Sequence, residues 1–352
     1  MASWTDIPAD VLAVLRRGTV LPAHPLALGQ QRGFDRLSQR ALSRYYIDAG
    51  AGGLAVGVHA TQFKIREAGL YRPVLELAAE TAQSWTRRPL LLIAGVMGNT
   101  AASLAEARLA RALGYHAVLL GFAGLRGASE DELIEHCGLL ARELPVIGFY
   151  LQTAVGGIAL PRAFWTRFAG IDNVIAIKVA PFDRYKTLDV AFGVVAAGAE
   201  DRITLYTGND DHIVADLVTP LRIRTPKREA VLRFKGGLLG HWSVWTKPAV
   251  ELLARAHACA GTGVIPDHLL AVDAMVTDCN SVIFDVANGF AGCIPGCHEV
   301  LRRQGLLATA HCLDPREVLS PGQAAGIDRI TATYPELNDN AFVAANLERW
   351  RG

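Results

Sequence analysis

The sequence predicts a (β/α)8 barrel, also called a TIM barrel, followed by a C-terminal helical extension. Eight short apolar runs have the composition of strands and alternate with helical patterns, which is typical of a parallel sheet wound with crossover helices. Two of these runs, residues 146–150 and 174–178, end in side chains that can do chemistry, Tyr150 and Lys178. Barrel strands end at the active-site mouth, so both side chains are expected there.

The elements follow one another in the order that such a barrel requires. Strands are predicted at residues 19–22, 53–58, 90–95, 117–121, 146–150, 174–178, 203–207 and 237–241. Helices are predicted at residues 34–49, 73–85, 101–113, 129–142, 161–168, 183–197 and 210–218. We therefore assign residues 1–245 to the barrel with its N-terminal helix and residues 246–352 to the helical extension.

The sequence does not determine where two segments lie, residues 219–235 and the C-terminal extension. Residues 219–235 contain two prolines and several basic residues and interrupt the strand and helix alternation, as an insertion before the eighth strand would. The insertion is either a solvated loop or a substrate contact beside the mouth. The C-terminal extension either reinforces an assembly of subunits or covers the mouth of the barrel.

Composition excludes several classes of protein. The 352 residues are 51% hydrophobic and carry 35 basic against 34 acidic side chains, with no basic cluster interleaved with aromatics, so nucleic acid is not an expected partner. No run is long and apolar enough for a membrane span, and the N-terminus lacks the pattern of a signal peptide. Six scattered cysteines fit a reducing, cytoplasmic location.

Lysine is the side chain with the clearest chemical use. If residues 174–178 form a regular strand, Val174, Ala176 and Lys178 share one face. An amine attacks a ketone only when it is unprotonated, and free lysine has a pKa of about 10.4, so a Schiff-base lysine needs burial or a cationic neighbour to lower that pKa. A tyrosine beside it can carry the protons, which makes Lys178 and Tyr150 the candidate catalytic residues.

These residues resemble the dihydrodipicolinate synthase and N-acetylneuraminate lyase family of Schiff-base-forming aldolases and dehydratases. Tyr150 precedes Lys178 by 28 residues, as in that family, and residues 173–178 (Asn-Val-Ile-Ala-Ile-Lys) are similar to its lysine motif. Residues 206–210 and 240–243 resemble the turn after its seventh strand and its eighth strand. The resemblance implies a lyase that forms an imine with a keto acid without a cofactor or metal, in a homo-oligomer that is a dimer or tetramer.

The sequence departs from the family where the substrate carboxylate would be held. Val58 and His59 stand in place of the family's hydroxyl-bearing pair, and the interface tyrosine and the dicarboxylate-binding arginine have no counterparts. These losses argue against dihydrodipicolinate synthase activity, and the sequence does not identify which keto acid is the substrate. The predicted substrate contacts lie at or just after strand ends and are Val58, His59, Gln152, Gly208, Asp210 and His241.

Three alternatives remain beside the imine hypothesis. A metal-assisted barrel hydrolase would use His59, Asp210, His212 and His241, but the sequence lacks a His-x-His pair at a strand end. Residues 293–298 (Cys-x3-Cys-His) could suggest a metal site, although no second ligand pair accompanies them and ordinary thiols are the preferred interpretation. A barrel that kept its lysine but lost turnover would serve as a ligand-binding or assembly protein.

Overall fold

A computed structural model describes residues 2–352. The barrel strands are β1 (Val20–Pro22), β2 (Gly53–Val56), β3 (Leu91–Val96), β4 (Ala117–Leu120), β5 (Val146–Leu151), β6 (Val174–Ala180), β7 (Thr204–Thr207) and β10 (Phe234–Leu239). They form one parallel sheet in the order β1-β10-β7-β6-β5-β4-β3-β2, and a bridge between Ala23 and Ala55 joins the last strand to the first. The (β/α)8 prediction is confirmed.

Helices surround this barrel and close its amino-terminal end. α1 (Ala9–Arg17) places Val11 and Leu15 against the apolar interior, and the Tyr206 hydroxyl donates to the Leu15 carbonyl at 2.8 Å. The outer ring consists of α2 (Arg36–Ala49), α3 (Tyr71–Trp85), α4 (Thr100–Ala112), α5 (Glu130–Ala141), α6 (Arg162–Ala169), α7 (Arg184–Ala196), α8 (Ile213–Val218) and α9 (Thr246–Thr262). Because α9 contacts α2, α8 and β1, it occupies the place of the eighth barrel helix, although it begins just after the boundary predicted at residue 245.

The predicted insertion is a β-hairpin at the end of the barrel opposite the strand carboxyl ends. It consists of β8 (Leu221–Arg224) paired antiparallel with β9 (Glu229–Leu232). The hairpin follows α8 and leads into the start of β10, so it lies at the amino-terminal end of the strands. Its Arg228 pairs there with Glu200, 2.8 Å away, in the loop before β7. A substrate contact from this segment is therefore ruled out by its position.

The C-terminal extension lies across the mouth of the barrel. It consists of α10 (Asp267–Ile283), α11 (Cys293–Arg303), α12 (Gln323–Thr333) and α13 (Asn340–Arg351). Leu313 N–H donates to Gln62 Oε1 at 2.6 Å, and the Thr309 hydroxyl donates to the Leu28 carbonyl at 2.7 Å, so the extension is fixed to the loops after β2 and β1. No helix within residues 2–352 is both long and apolar enough to cross a membrane.

The last helix fastens the extension to the outer ring. Trp350 Nε1 donates to the Asp48 carboxylate at 2.6 Å, and the Tyr45 hydroxyl donates to the Asp339 carboxylate at 2.7 Å. The rings of Tyr45 and Trp350 also pack edge to face, with 5.4 Å between their centroids. These buried contacts tie α13 to α2, and they make the extension part of the same packed unit as the barrel.

Candidate active site

One cavity occupies the carboxyl ends of the barrel strands, beneath the extension. The space inside it, counted out to its opening, is about 780 Å³. Barrel residues line its floor and one side, and residues of the extension line the other. The lining residues are Ala23, Pro25, Val58, His59, Ala60, Phe149, Leu151, Gln152, Val155, Lys178, Ala180, Phe182, Gly208, Asp210, Gly240, Phe284, Phe290, Cys293, Ile294, Cys297 and His298.

Lys178 points from β6 into this cavity and is 8% exposed. Its Nζ lies 4.2 Å from the centroid of the Phe149 ring. Burial lowers the pKa of Lys178 to about 8, against the opposing effects of Asp210 and Cys293. Roughly one-tenth of the amine is then neutral at pH 7, compared with less than about one part in a thousand for a free lysine.

Gly208 makes room for this lysine. A Cβ at Gly208 would lie 2.8 Å from Lys178 Cε and 2.7 Å from Ala180 Cβ, which is closer than side-chain atoms approach. The sequence predicted Gly208 as a substrate contact that also supplies backbone freedom to the turn. It does line the cavity, but its φ is not in the left-handed region, and its lack of a side chain serves the passage of the lysine chain.

Asp210 lines the same cavity as Lys178. Burial raises the pKa of the Asp210 carboxyl to about 7, although the charge of Lys178 acts in the opposite direction. The His241 N–H donates to its Oδ1 at 3.4 Å, and Asn280 Nδ2 of α10 donates to its backbone carbonyl at 2.6 Å. A carboxyl with a pKa near neutrality, fixed by two elements, is suited to proton transfer at physiological pH.

Tyr150 is not beside Lys178, so its predicted placement is wrong. Its hydroxyl donates to the Leu160 carbonyl at 3.1 Å and accepts from the Leu160 N–H at 3.3 Å, and its ring packs against Trp165 of α6 with 5.0 Å between centroids. The side chain therefore faces the helical ring rather than the cavity. Phe149 takes the expected position, since it is the register partner of Lys178.

The cause is one extra residue in β6. Val146 pairs with Val174, but Ile147 pairs with Ala176, so the register shifts by one residue at Ile175. A shift of one residue moves every later side chain of a strand to the other face relative to its neighbour. The sequence prediction assumed two regular strands and therefore paired the wrong member of the Phe149 and Tyr150 dipeptide with the lysine.

We expect Tyr150→Phe to retain most of the imine-forming activity. The substitution removes only a hydroxyl that is bonded to the Leu160 backbone, so its main effect is a loss of about 1 kcal/mol in the free energy of unfolding. Reaction rates with a keto acid and denaturant unfolding of both proteins measure the two effects. A fall in rate of a hundredfold or more, the lower range for loss of a general acid or base, would restore Tyr150 as the proton carrier.

The loop after β2 brings Val58 and His59 to the cavity, as the sequence predicted. Burial and the nearby Lys178 charge lower the pKa of His59 to about 4, so its imidazole is neutral at physiological pH. The Thr61 hydroxyl is used within the loop: it accepts from the N–H groups of Gly57 and Val58 and donates to the His24 carbonyl at 2.6 Å. Within residues 2–352, the N–H groups of His59 and Ala60 have no acceptor, which leaves two donors at the edge of the cavity.

Of the two remaining predicted substrate contacts, Gln152 reaches the cavity and His241 does not. Gln152 lines it at the end of β5. His241 is buried with its ring 6.1 Å from that of Trp245, and it is connected to the site through its backbone N–H, which holds Asp210. No three His, Cys, Asp or Glu side chains of residues 2–352 come together in a way that could hold a metal ion.

Residues of the extension are the part of the site that sequence reasoning missed. Phe284, Phe290, Cys293, Ile294, Cys297 and His298 all line the cavity. Cys293 and Cys297 are neighbours on the surface of α11, and so are Ile294 and His298, because helical residues four positions apart lie one above the other. Their spacing was visible in the sequence, but nothing in it showed that this helix faces the end of β6.

Comparison with solved structures identifies the fold. A dihydrodipicolinate synthase structure superposes with a TM-score of 0.73 at 15% identity, covering 91% of this chain and 99% of that one. N-acetylneuraminate lyase from Fusobacterium nucleatum gives 0.70 at 17% identity, covering 90% and 99%. YagE from E. coli K12, a protein of the dihydrodipicolinic acid synthase family in complex with pyruvate, gives 0.71 at 18% identity, covering 91% and 98%. No protein-family model and no curated protein sequence matches the chain. The chain thus has the fold of the dihydrodipicolinate synthases and N-acetylneuraminate lyases, with a sequence far from theirs.

Proposed function

We propose that this protein is a lyase that forms a Schiff base between Lys178 and a 2-keto acid, as an aldolase or a dehydratase. The observation that carries the proposal is a buried lysine with a lowered pKa, at the carboxyl end of a barrel strand and inside the cavity at the barrel mouth. The shared fold with lyases adds support, and pyruvate in the YagE structure suggests the smallest ligand to test.

The residues of the cavity account for the proton transfers that imine chemistry needs. Neutral Nζ of Lys178 adds to the keto carbon, and the resulting hydroxyl leaves as water with a proton from Asp210. In an aldol substrate the C4 hydroxyl then gives its proton to Asp210 while the C3–C4 bond breaks. The electron pair of that bond moves into the protonated imine, which leaves an enamine on Lys178 and releases an aldehyde. Asp210 thus takes the role that the sequence suggested for Tyr150.

The N–H groups of His59 and Ala60 are placed to hold the carboxylate of the keto acid. They border the cavity without acceptors, whereas the Thr61 hydroxyl in the same loop is already bonded. Backbone donors at the start of a helical turn bind anions well. This arrangement substitutes for the hydroxyl pair of the family, and the missing arginine and interface tyrosine still argue against dihydrodipicolinate synthase activity. The expected homo-oligomer remains a prediction.

Reductive trapping tests the proposal. We expect borohydride added with pyruvate to attach the reduced three-carbon acid to Lys178, detected as a mass increase on the peptide that contains it. Borohydride without keto acid is the control. Absence of an adduct with a broad panel of keto acids, in protein shown to be folded, would refute imine formation. An adduct that forms without release of product under turnover conditions would indicate the ligand-binding alternative.

A further inference from the structure

The extension gives the cavity an apolar wall. Phe284, Phe290 and Ile294 line it there, and Phe182, Leu151 and Val155 continue the same surface from the barrel loops. Among the lining residues, Lys178 is the only lysine or arginine. A second carboxylate or a phosphate on the substrate would therefore have no cation to pair with, and its burial would be costly.

Two phenylalanines of this wall are held in an unfavourable backbone conformation. Phe182 has a φ of +52° and Phe290 a φ of +68°, and their rings pack edge to face with 6.1 Å between centroids. Such a conformation costs about 1–3 kcal/mol for a residue other than glycine, and it tends to persist at ligand sites. Glycine at either position would relieve this strain, yet both positions carry an aromatic ring that lines the cavity.

The loop that carries Phe290 is fixed by a buried carboxylate. Asp285 accepts hydrogen bonds from the Gly292 N–H at 2.9 Å, from Asn288 Nδ2 at 2.6 Å and from the Ser320 hydroxyl at 2.5 Å. Gln323 Nε2 donates to the Gly292 carbonyl at 3.0 Å from the other side. The wall is consequently formed before a ligand enters, which lowers the entropy cost of binding an apolar group.

His298 supplies a buried polar atom without a hydrogen-bond partner among the residues that line the cavity. The residue is 0% exposed, and its Nδ1 lies 3.1 Å from the His311 carbonyl, to which it must donate. Burial lowers the pKa of His298 to about 4, so the ring is neutral and Nε2 is an acceptor. Nε2 has no partner within residues 2–352, and a buried acceptor left unpaired costs about 1–3 kcal/mol.

We propose that the wall formed by residues 284–298 selects keto acids with a ring-sized apolar substituent that carries a hydroxyl, and that His298 Nε2 accepts the hydrogen bond from that hydroxyl. The inference rests on the proposed function, since the keto group must reach Lys178. It assigns the substrate class to the extension, with the barrel supplying the imine chemistry. The hydroxyl of the substituent provides the hydrogen-bond donor that His298 Nε2 lacks, while the aromatic wall excludes water from the substituent.

Three probes separate the parts of this proposal: pyruvate, 2-oxo-4-phenylbutanoate and its 4-hydroxyphenyl analogue. The measurement is the concentration of each that gives half-maximal borohydride trapping on Lys178. We expect the phenyl compound to reach half-maximal trapping at a concentration about tenfold below that of pyruvate, because its apolar ring contacts the wall. The hydroxyphenyl compound should need a concentration about tenfold lower again, because its hydroxyl adds one buried hydrogen bond.

His298→Asn tests the polar contact because its amide can still donate to the His311 carbonyl while the acceptor at Nε2 is lost. We expect the preference for hydroxyphenyl over phenyl to fall to about twofold or less, and His298→Gln, which returns an acceptor near Nε2, to recover part of it. His136→Asn is the matched control: His136 is also buried, with Nδ1 bonded to the Thr100 hydroxyl and Nε2 unpartnered, but it lies outside the cavity. That variant should keep the wild-type preference.

Phe290→Gly tests the apolar contact in a variant that relieves backbone strain. We expect it to lose most of the preference for the phenyl compound over pyruvate. Equal trapping of all three probes by the wild type would overturn the selectivity inference alone, and a full hydroxyl preference in folded His298→Asn would overturn the assignment to His298. Failure of every probe to form an adduct would instead refute the underlying imine chemistry.

Discussion

Lys178→Met is expected to abolish trapping with every keto acid and, at the same time, to make the protein more stable. No other lysine or arginine lines the cavity, so the variant has no amine in position to form the imine. The wild-type lysine must be desolvated while charged, and a pKa lowered from 10.5 to about 8 corresponds to a penalty of up to about 3 kcal/mol near pH 7. Methionine fills a similar volume without that penalty, so we expect a gain of about 1–3 kcal/mol.

The size of this stability gain depends on pH in a defined way. The folded pKa lies below the unfolded one, so the unfolded chain binds the extra proton between pH 8 and 10.5, and the wild-type protein gains stability as the pH rises through that window. The advantage of Lys178→Met should accordingly be largest at neutral pH and shrink above pH 8. Denaturant unfolding of both proteins at several pH values measures this difference in stability.

Lys235→Met is the matched control. Lys235 is an exposed residue of β10, so its substitution should change neither trapping nor this pH dependence. A neutral-pH loss of stability in Lys178→Met would contradict the burial penalty.

Asp210→Asn is expected to lower turnover by about 10²–10⁴-fold, the usual contribution of a general acid or base. The variant keeps the shape of the side chain and the acceptor for the His241 N–H, but it cannot exchange a proton. Because the negative charge of Asp210 raises the pKa of Lys178, its removal should lower that pKa further. Stopped-flow or steady-state rates over the range of pH 5 to 10 measure both effects.

The pH dependence of the reaction rate distinguishes the role of Lys178 from that of Asp210. The reactive state of the wild type has one proton shared by the pair, because Lys178 must be neutral and Asp210 must hold a proton for the leaving water. The rate should therefore rise through an apparent pKa of about 7 and fall through one of about 8, values that belong to the pair. Asp210→Asn should retain only a rising limb. The neighbouring variant Asp211→Asn, which leaves the cavity lining intact, should keep both limbs. A bell-shaped profile in Asp210→Asn would assign proton transfer to another group.

Much of the fold was accessible from the sequence because its signals are local. All eight barrel strands were predicted, since each is a short apolar run flanked by turn residues, and β-strand periodicity placed Lys178 correctly in the interior. Val58, His59, Gln152, Gly208 and Asp210 follow strand ends directly, and all five reach the cavity. Position along a parallel barrel strand was enough to group them.

The failures have non-local causes. The extra residue at Ile175 leaves no mark in the sequence, because an apolar strand with a bulge has the same composition as a regular one. Strand parity and the spacing of 28 residues both assumed regular strands, and both therefore paired Tyr150 with the lysine. The extension contributes six of the 21 residues that line the cavity. It does so through tertiary packing of helices whose apolar faces could have covered many surfaces, so His298 could not be placed.

The attachment of α13 to α2 has a consequence for when this site comes into being. A ribosome completes β6, and with it the amine, before it makes α11. Arg303 of α11 in turn bonds to Asp328 and to the Ala324 carbonyl of α12, which is made later still. A nascent chain therefore carries Lys178 before the apolar wall of residues 284–298 exists. The cavity is completed only after α12 and α13 have been made and have packed against the barrel.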